Sequence, residues 1–309
     1  MLRIFCLFFL LFLMVDICFS QVTEEKNWCA SQCNAAGDEK GNTKRLCKEI
    51  EHNRALGRVL EGKKQLIPLR IGFVQRDTSE TEVTKELVQN AVNNLNKSFV
   101  KSNLLFYVDR IDVICSEIKL EELSQNGYKV YDAFSKAYDL PNTISIFVFD
   151  FDEEFCRVDG NSVSCGRTGG FSYVLSDKTS NIVLSKFDLS EIKVIAHEMG
   201  HFWGLYHTFE EFQFGKDNFD HSHCHLVGDL VCDTPPDPGP IYEIYVNYTA
   251  CELMNFVDID GNKYKPLIQN FMSYYKPCYL QEYSFTDDQV NVINTALTQP
   301  MRAKYARDL

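Results

Sequence analysis

The sequence predicts an α/β (α+β) fold in which helices pack on a mixed, twisted sheet and a loop-rich subdomain follows. The chain has 309 residues, of which 45% are hydrophobic and 24% charged, and this composition is typical of a globular protein. Apolar segments of strand length alternate with segments of helical periodicity, a pattern that favours helices layered on a sheet. Beyond residue 207 the periodicity gives way to loops rich in His, Asp and Pro.

The predicted strands are short apolar segments of the kind that forms the interior of a sheet. Thr143–Phe151 is nearly continuous in apolar residues and therefore predicts a central strand that is buried on both faces. The other predicted strands are Leu66–Val74, Leu104–Cys115, Gly169–Leu175 and Asn181–Lys186.

Two segments have apolar residues at the three-and-four spacing of an amphipathic helix. The first covers Glu80–Val100. The second carries Ile195 and Met199 on one face, and the preceding Asp188-Leu189-Ser190-Glu191 resembles a capping box that would start the helix. A final helix is predicted from about Thr286 to Thr298.

Residues 1–20 have the pattern of a signal peptide, so the chain is predicted to be secreted and extracellular. A basic start is followed by the apolar run Ile4–Val15, which is too short to span a bilayer, and by small residues at a cleavage position. No later segment reaches the roughly 18 consecutive apolar residues of a membrane helix. Residues 21–65 are polar and form a predicted N-terminal extension or pro-segment, and residues 66–309 form the predicted domain.

The charge of the chain excludes some classes of partner. The formal net charge is −12, which repels the phosphate backbone of nucleic acids and acidic lipid surfaces. The sequence gives no indication of an oligomeric state.

Cysteine usage agrees with export. Of the 12 cysteines, Cys6 and Cys18 would leave with the signal peptide, and an even number remains, which favours disulfides in an oxidising compartment. Cys156 with Cys165 could close a hairpin around Asp159-Gly160, and Cys224 with Cys232 a small loop. The pairing of the other cysteines is left open by the spacing: Cys29, Cys33, Cys47, Cys115, Cys251 and Cys278.

Two glycosylation sequons fit the same export route. They begin at Asn96 (Asn96-Lys97-Ser98) and at Asn247 (Asn247-Tyr248-Thr249). Both are predicted to be modified.

The second helix carries the pattern H-E-x-x-H at His197-Glu198-Met199-Gly200-His201. Residues four apart share a helix face, so both imidazoles can reach one cation. Glu198 is turned aside from that face, where it can hold a water molecule as a general base. The pattern therefore predicts a metal site with an adjacent base.

The pattern extends to a third histidine. Gly204 can take the left-handed conformation that ends a helix and turns the chain, which would let His207 swing back as a ligand. Three neutral imidazoles leave the fourth position of a zinc ion open for water, as catalysis requires. The eleven-residue pattern arises by chance on the order of once in a hundred thousand such chains, so a catalytic zinc site is predicted.

H-E-x-x-H-x-x-G-x-x-H resembles the motif of the metzincin metallopeptidases. Asn270-Phe271-Met272-Ser273-Tyr274 is similar to the Met-turn of that clan, and these segments together with Gly228-Asp229-Leu230-Val231-Cys232-Asp233-Thr234-Pro235 resemble the pappalysin family. The resemblance implies a metzincin-type catalytic domain from about Leu66 to the C-terminus, with the active-site helix above a loop-rich subdomain and Met272 beneath the zinc ligands.

Further roles come from the resemblance. It implies a disulfide between Cys251 and Cys278, and it matches Tyr274 to a tyrosine that can steady the reacting carbonyl. By chemistry alone, Tyr274 as a packed core ring is nearly as good an interpretation. The resemblance also implies calcium in the stretch that holds Asp229 and Asp233, together with Asp217, Asp220 and Asp237, although solvated acidic loops are commoner than ion cages.

One more metal alternative lies at His221-Ser222-His223-Cys224-His225. This cluster could bind a second metal, but an exposed loop is the favoured interpretation.

Two classes of function follow. The leading hypothesis is a secreted zinc-dependent endopeptidase acting on protein or peptide substrates, with Glu198 as general base. The alternative is a catalytically silent binding or adhesion module on the same scaffold; such proteins usually lack the base or a ligand, whereas Glu198, His197, His201 and His207 are all present here. In the metzincin fold, the chain just past the Met-turn walls the pocket for the side chain that follows the cut. Here that segment contains Lys276, so weak preference for arginine is predicted, unless Glu282 or another acid reaches the pocket.

A last hypothesis concerns latency. Residues 21–65 end near Lys63-Lys64, a plausible exposed processing point, and either block the cleft as a pro-segment or pack on the domain as a disulfide-bridged extension. A carboxylate such as Asp38 is as good a candidate inhibitor as a thiol, because pairing among Cys29, Cys33, Cys47 and Cys115 competes with a thiolate.

Overall fold

The computed structural model describes residues 62–75, 84–118, 123, 128–149, 155–159, 162–166, 170–172, 174, 181–211, 221–254, 257 and 261–308. The predicted signal peptide and residues 21–61 of the predicted extension, with Cys29, Cys33, Cys47 and Asp38, lie outside these ranges. So do Asp217 and Asp220, the predicted helix start at Glu80–Val83, and parts of the predicted strands around Phe151 and Tyr173.

A five-stranded mixed sheet, as predicted, organises the fold. The strands are β1 (Gln65–Gln75), β2 (Leu104–Cys115), β3 (Ile144–Phe149), β6 (Gly170–Ser172) and β7 (Asn181–Ser185). Their order in the sheet is β2-β1-β3-β7-β6. β1, β2, β3 and β7 are parallel, and β6 runs antiparallel to β7 at one edge.

Two small ribbons complete the strands. β4 (Phe155–Asp159) and β5 (Ser162–Gly166) form an antiparallel hairpin, and β8 (Val246–Asn247) pairs with β9 (Glu252–Leu253). The central strand β3 is buried at every position, which confirms the prediction from its continuous apolar run.

The described helices are α1 (Lys85–Ser98), α2 (Tyr128–Tyr138), α3 (Ile192–Phe202), α4 (Asp287–Thr298) and α5 (Pro300–Ala303), with a 3-10 helix at Pro240–Tyr245. α1 begins where Thr84 accepts a hydrogen bond from Leu87 N, as an N-cap residue does. α4 has a complete capping box between Thr286 and Gln289. Both helices were predicted, whereas α2 was missed.

The predicted capping box of α3 is wrong. The helix begins at Ile192, and its N-cap residue Glu191 makes no side-chain cap hydrogen bond. Asp188 instead accepts a hydrogen bond from Ser185 Oγ at 2.5 Å, so the end of β7 uses the carboxylate that the box would need. The short turn between β7 and α3 therefore sets where the helix starts.

Each face of the sheet carries its own core. Side chains of α1 and α3 pack with Ile67, Leu69, Ile71 and Phe73 of β1 on one face. On the other face, α2 packs against Phe147 and Phe149. A third, smaller cluster in the loop-rich part surrounds Ile268, Tyr275 and Cys278. Within the described residues, no helix has the length and apolar character to cross a bilayer.

Two of the predicted disulfides are present. Cys224–Cys232 and Cys251–Cys278 have Cα–Cα distances of 5.1 and 5.6 Å. Across the β4–β5 hairpin, Cys156 stands in register with Cys165, and a bond between them stays a prediction. Cys115 is exposed and forms no disulfide with any cysteine of the described ranges.

The two sequons differ in their surroundings. Asn96 is half-buried in α1, where its amide donates to Phe106 O at 3.0 Å and accepts from Phe106 N at 2.8 Å. Asn247 lies just before a turn, and Thr249 and Ala250 in that turn are exposed. Glycosylation stays a prediction, and this arrangement favours Asn247 over Asn96.

Candidate metal centre

Helix α3 and the turn after it bring three histidines together. His197 and His201 lie one helical turn apart on α3. Gly204 has a φ of 102°, and Leu205 N donates to Gly200 O at 3.0 Å, so the helix ends and the chain reverses. The reversal returns His207 to the face that carries the other two imidazoles. His201 Nε2 lies 3.1 Å from His197 Nε2 and 3.1 Å from His207 Nε2.

Hydrogen bonds from the rings of His197 and His201 determine which ring nitrogen can bind a metal. His197 Nδ1 lies 2.7 Å from Phe271 O, and His201 Nδ1 lies 2.7 Å from Leu205 O. A carbonyl oxygen only accepts, so each Nδ1 carries the proton and each Nε2 keeps a lone pair. This is the outer hydrogen bonding that metal-ligating histidines use to hold their orientation.

Burial keeps the imidazoles neutral. It lowers the pKa of His201 to about 4, and it lowers the pKa of His197 and of His207 well below the usual value, with further lowering from the neighbouring histidines. Neutral rings with converging lone pairs repel one another unless a cation lies between them. Two nitrogens at about 2.05 Å from a tetrahedral zinc are about 3.3 Å apart, close to the observed spacing. The residues present therefore fit zinc.

Glu198 lies beside the histidines but off their face of the helix. Its side chain is buried, and Oε2 has no hydrogen-bond partner among the described residues. Burial raises the pKa of Glu198 well above its usual value, and the charge of Asp188 raises it further. A buried carboxyl oxygen without a partner is suited to bind and deprotonate a water molecule.

The segment around Met272 supports the histidines from below. Phe271 O receives the His197 hydrogen bond, and Met272 O accepts from Thr208 N at 3.2 Å, next to His207. A Cβ atom at Gly200 would lie 2.6 Å from Met272 Sδ, so a larger residue there would have to displace the Met272 side chain beneath the histidines. The turn thus contacts both ligand-bearing segments.

Asn270 holds the turn in place, a role that the sequence analysis missed. Its Oδ1 accepts from Met272 N at 2.8 Å, and its amide pairs with the amide of Gln289 in both directions. Gln289 also belongs to the capping box of α4. Through this pair, the start of α4 orients the loop beneath the metal centre.

Gly170 is a second residue that sequence reasoning missed. A Cβ atom there would lie 2.8 Å from Val183 O and 3.3 Å from Glu198 Cγ, so glycine lets β6 run close to α3. The available signal was a glycine inside a strand, which often marks a close backbone approach.

Tyr274 borders the histidines. Its half-buried ring lies 5.5 Å from the His197 ring and 4.8 Å from the His207 ring, centroid to centroid. Phe209 stacks on the His207 ring at 4.9 Å and also contacts the Tyr274 ring, whose centroid is 4.9 Å away. The ring is therefore placed at the site rather than in the main core.

The predicted calcium residues serve protein contacts. Asp229 accepts hydrogen bonds from Thr234 Oγ1 at 2.8 Å and from Val231 N at 3.1 Å, and Asp233 accepts from Asp288 N at the start of α4. Within the described ranges, neither belongs to a cluster of three potential metal ligands. Calcium at Asp229 and Asp233 stays a prediction.

The histidine-rich loop does not form a thiol metal site. Cys224, His225 and Cys232 lie close together, but the two sulfurs are joined in a disulfide. His221 Nε2 lies 2.9 Å from Cys232 O, so it contributes to the loop's own structure.

Two lysines lie in or beside residues 275–278, the segment that follows the Met-turn. Lys193 of α3 donates to Tyr275 O and lies 4.8 Å above the Tyr283 ring, and burial lowers its pKa to about 8. Exposed Lys276 lies 3.6 Å from Glu243. Glu282, the acid considered for this pocket, instead pairs with Lys97 at 2.8 Å.

The lowered histidine pKa values predict acid sensitivity of the chelator-treated protein. In the unfolded chain His201 becomes protonated below about pH 6.5, whereas in the folded chain it stays neutral down to about pH 4. His201 therefore makes the free energy of unfolding fall as the pH falls between these two values. Glu198, with its raised pKa, acts in the opposite direction.

A variant isolates the histidine contribution. We expect urea unfolding free energies of the wild type to fall more steeply with acid than those of His201→Asn, by up to about 1.4 kcal/mol per pH unit between pH 6.5 and 4. Parallel curves for the two proteins would contradict a buried neutral His201.

Comparisons with known proteins agree with this geometry. Residues 178–298 match the family model of peptidase M43, described as pregnancy-associated plasma protein-A. An extracellular metalloprotease of Colletotrichum graminicola is 35% identical over 78 residues, which are 25% of this chain and 24% of that protein. The match thus spans about a quarter of the curated relative.

Solved structures share the fold. Mature mirolysin of Tannerella forsythia in complex with a cleaved peptide aligns with a TM-score of 0.52 at 16% identity, covering 79% of this chain and 96% of that one. A promirolysin mutant from the same organism aligns with a TM-score of 0.53 at 15% identity, covering 84% and 90%. The family match to residues 178–298 confirms the resemblance to the pappalysin metallopeptidases that the motifs predicted, and the solved structures share the fold.

Proposed function

We propose that this protein is a secreted, zinc-dependent endopeptidase. The observation that carries the proposal is the convergence of three neutral imidazoles beside Glu198, whose Oε2 is buried and has no described partner. His197, His201 and His207 would hold the ion. When bound, zinc supplies a Lewis acid that polarises the scissile carbonyl and lowers the pKa of water.

The chain's own residues would move the protons. Glu198 takes a proton from the attacking water and later gives it to the leaving amine, so one carboxyl serves as base and then as acid. Its raised pKa suits both steps, because a higher pKa makes the carboxylate a stronger base toward water and stabilises the protonated form that later returns the proton. Tyr274, beside the rings of His197 and His207, would donate its phenol hydrogen to the developing oxyanion.

The sheet edge next to Glu198 favours an extended peptide as substrate. β6 is the last strand of the described sheet, and it pairs on one side with β7. An edge strand offers backbone donors and acceptors to a further strand, a common way of binding peptides. Because Gly170 lies against Glu198, a peptide paired with β6 would pass the base. The mirolysin structure with a cleaved peptide supports the same substrate class.

A silent binding module is the competing function. Nothing in the site favours it, since the base and all three histidines are in place. Cleavage-site profiling of a peptide library with the purified, zinc-loaded protein separates the two. We expect cuts at internal bonds; peptides that are retained but never cut would support the binding module.

The same profile tests specificity. If the segment 275–278 walls the pocket for the residue after the cut, as the metzincin resemblance implies, then Lys193 and Lys276 make that wall cationic and disfavour arginine. Glu243 is the nearest acid, and it lies 3.6 Å from Lys276. We expect weak selection of arginine after the cut, and stronger selection in Lys276→Ala. Arginine as the dominant residue in the wild type would overturn this.

A further inference from the structure

The edge of the sheet opposite the metal centre carries an exposed apolar stripe. β2 is the outermost strand on that side. Ile111, Val113 and Cys115 alternate along it and stand in register with Ile71, Phe73 and Gln75 of β1, so their side chains share one face. Ile111 is 40% and Val113 48% exposed, and Cys115 is exposed.

A buried polar atom lies at the end of this stripe. Gln75 is only 2% exposed, yet its Oε1 has no hydrogen-bond partner among the described residues. Buried amide oxygens are nearly always bonded. Gln75 is the register partner of Cys115, so the residue with this acceptor and the residue with the exposed thiol are neighbours on adjacent strands.

Cysteine parity points to one occupant. Cys224–Cys232 and Cys251–Cys278 are bonded, and Cys156 faces Cys165 in register. Residues 21–61 contain three cysteines, Cys29, Cys33 and Cys47, so one of them lacks a partner after any pairing among themselves. With Cys156 paired to Cys165, and Cys6 and Cys18 removed with the signal peptide, as the sequence predicts, Cys115 is the cysteine that remains for it.

The chain enters the described structure next to β2. A Cβ atom at Gly62 would contact the Asn103 side chain, and Lys64 Nζ donates to Val100 O and Ser102 O just before β2 begins. From Asn103 to Cys115 a strand covers about 40 Å. The residues from Cys47 to Gly62 reach about 50 Å when extended, so each of the three upstream cysteines can reach Cys115.

We propose that residues 21–61 dock on the stripe formed by Ile111, Val113 and Cys115, and that a disulfide from one of their cysteines to Cys115 holds them there. The apolar residues of this segment, Leu46, Ile50, Leu56, Val59 and Leu60 among them, can cover the stripe. Joining the two thiols forms one S–S bond and releases two electrons and two protons, which reduce a disulfide oxidant such as oxidised glutathione to two thiols.

The anchor has a consequence for processing. The sequence predicted an exposed processing point at Lys63-Lys64. Lys64 is half-buried and donates to two carbonyl oxygens, whereas Lys63 is exposed. A cut there would break the backbone but leave the extension covalently attached to β2. Because β2 and β6 are at opposite edges of the sheet, the anchor itself lies away from Glu198.

Peptide mapping of the full mature protein tests the disulfide. Free thiols are alkylated before digestion without reductant, and cross-linked peptides are identified by mass spectrometry. We expect Cys115 joined to Cys29, Cys33 or Cys47 within one chain. Alkylated Cys115, or Cys115 joined to any other cysteine or to a second chain, would overturn the proposal. As a second readout, Cys115→Ser should expose one thiol per chain where the wild type exposes none.

The docking surface has its own test. Replacing Ile111 and Val113 together by Ser should speed proteolytic cleavage within residues 21–61 roughly tenfold, because two apolar contacts are lost. The matched control replaces Ile244 and Leu280, which are 84% and 85% exposed elsewhere, by Ser and should leave that rate unchanged. Equal rates in both double variants would contradict docking on the stripe.

Discussion

Glu198→Ala is expected to retain zinc and to lose peptide cleavage by about a hundredfold or more, because it removes a general base without touching a ligand. Glu198 follows the ligand histidine His197 in α3, and its Oε2 has no hydrogen-bond partner among the described residues. The loss should therefore appear in kcat rather than in metal content. Metal analysis and a peptide-cleavage assay on the same preparation measure both.

Glu191→Ala is the matched control. Glu191 is an exposed acid at the start of the same helix, and its side chain makes no cap hydrogen bond. This variant should keep both zinc and activity. Near-normal cleavage by Glu198→Ala would exclude Glu198 as the base, whereas loss of zinc from Glu198→Ala would show that the carboxylate supports the metal.

His201→Ala is expected to lose zinc itself, and activity with it. His201 is the central histidine, with its Nε2 3.1 Å from those of both His197 and His207. Two remaining imidazoles hold zinc poorly, since catalytic sites use three protein ligands. His223→Ala, an exposed histidine in the loop after residue 220, should keep the full metal content. A variant His201→Ala that retains one tightly bound zinc would contradict the ligand assignment.

Local patterns predicted those parts of the fold that depend on local chemistry. Continuous apolar residues indicated β3, and three-and-four spacing indicated α1 and the helix that carries His197. The same spacing is present in α2, at Tyr131, Phe134 and Tyr138, and was overlooked. The capping box at Asp188 failed because a competing partner, Ser185, lies just before it.

The candidate site was predictable where spacing alone places residues. Residues four apart on a helix, and a glycine that reverses the chain, are sufficient to bring His197, His201 and His207 together. The residues that support the histidines lie in segments distant in the sequence, and no local pattern indicates these contacts. Asn270 holds the Met-turn through an amide pair with Gln289, and Gly200 accommodates Met272 from a neighbouring segment. Such contacts depend on packing between elements.

A zinc titration of the chelator-treated protein tests the central claim most directly. The substrates are peptides blocked at both ends, so only internal cuts are scored, and products are identified by mass spectrometry. The proposed mechanism predicts no cleavage without metal and cleavage that rises with added zinc up to one ion per chain. Cleavage that persists in the chelator, or a protein with one bound zinc that cuts no blocked peptide, would contradict it.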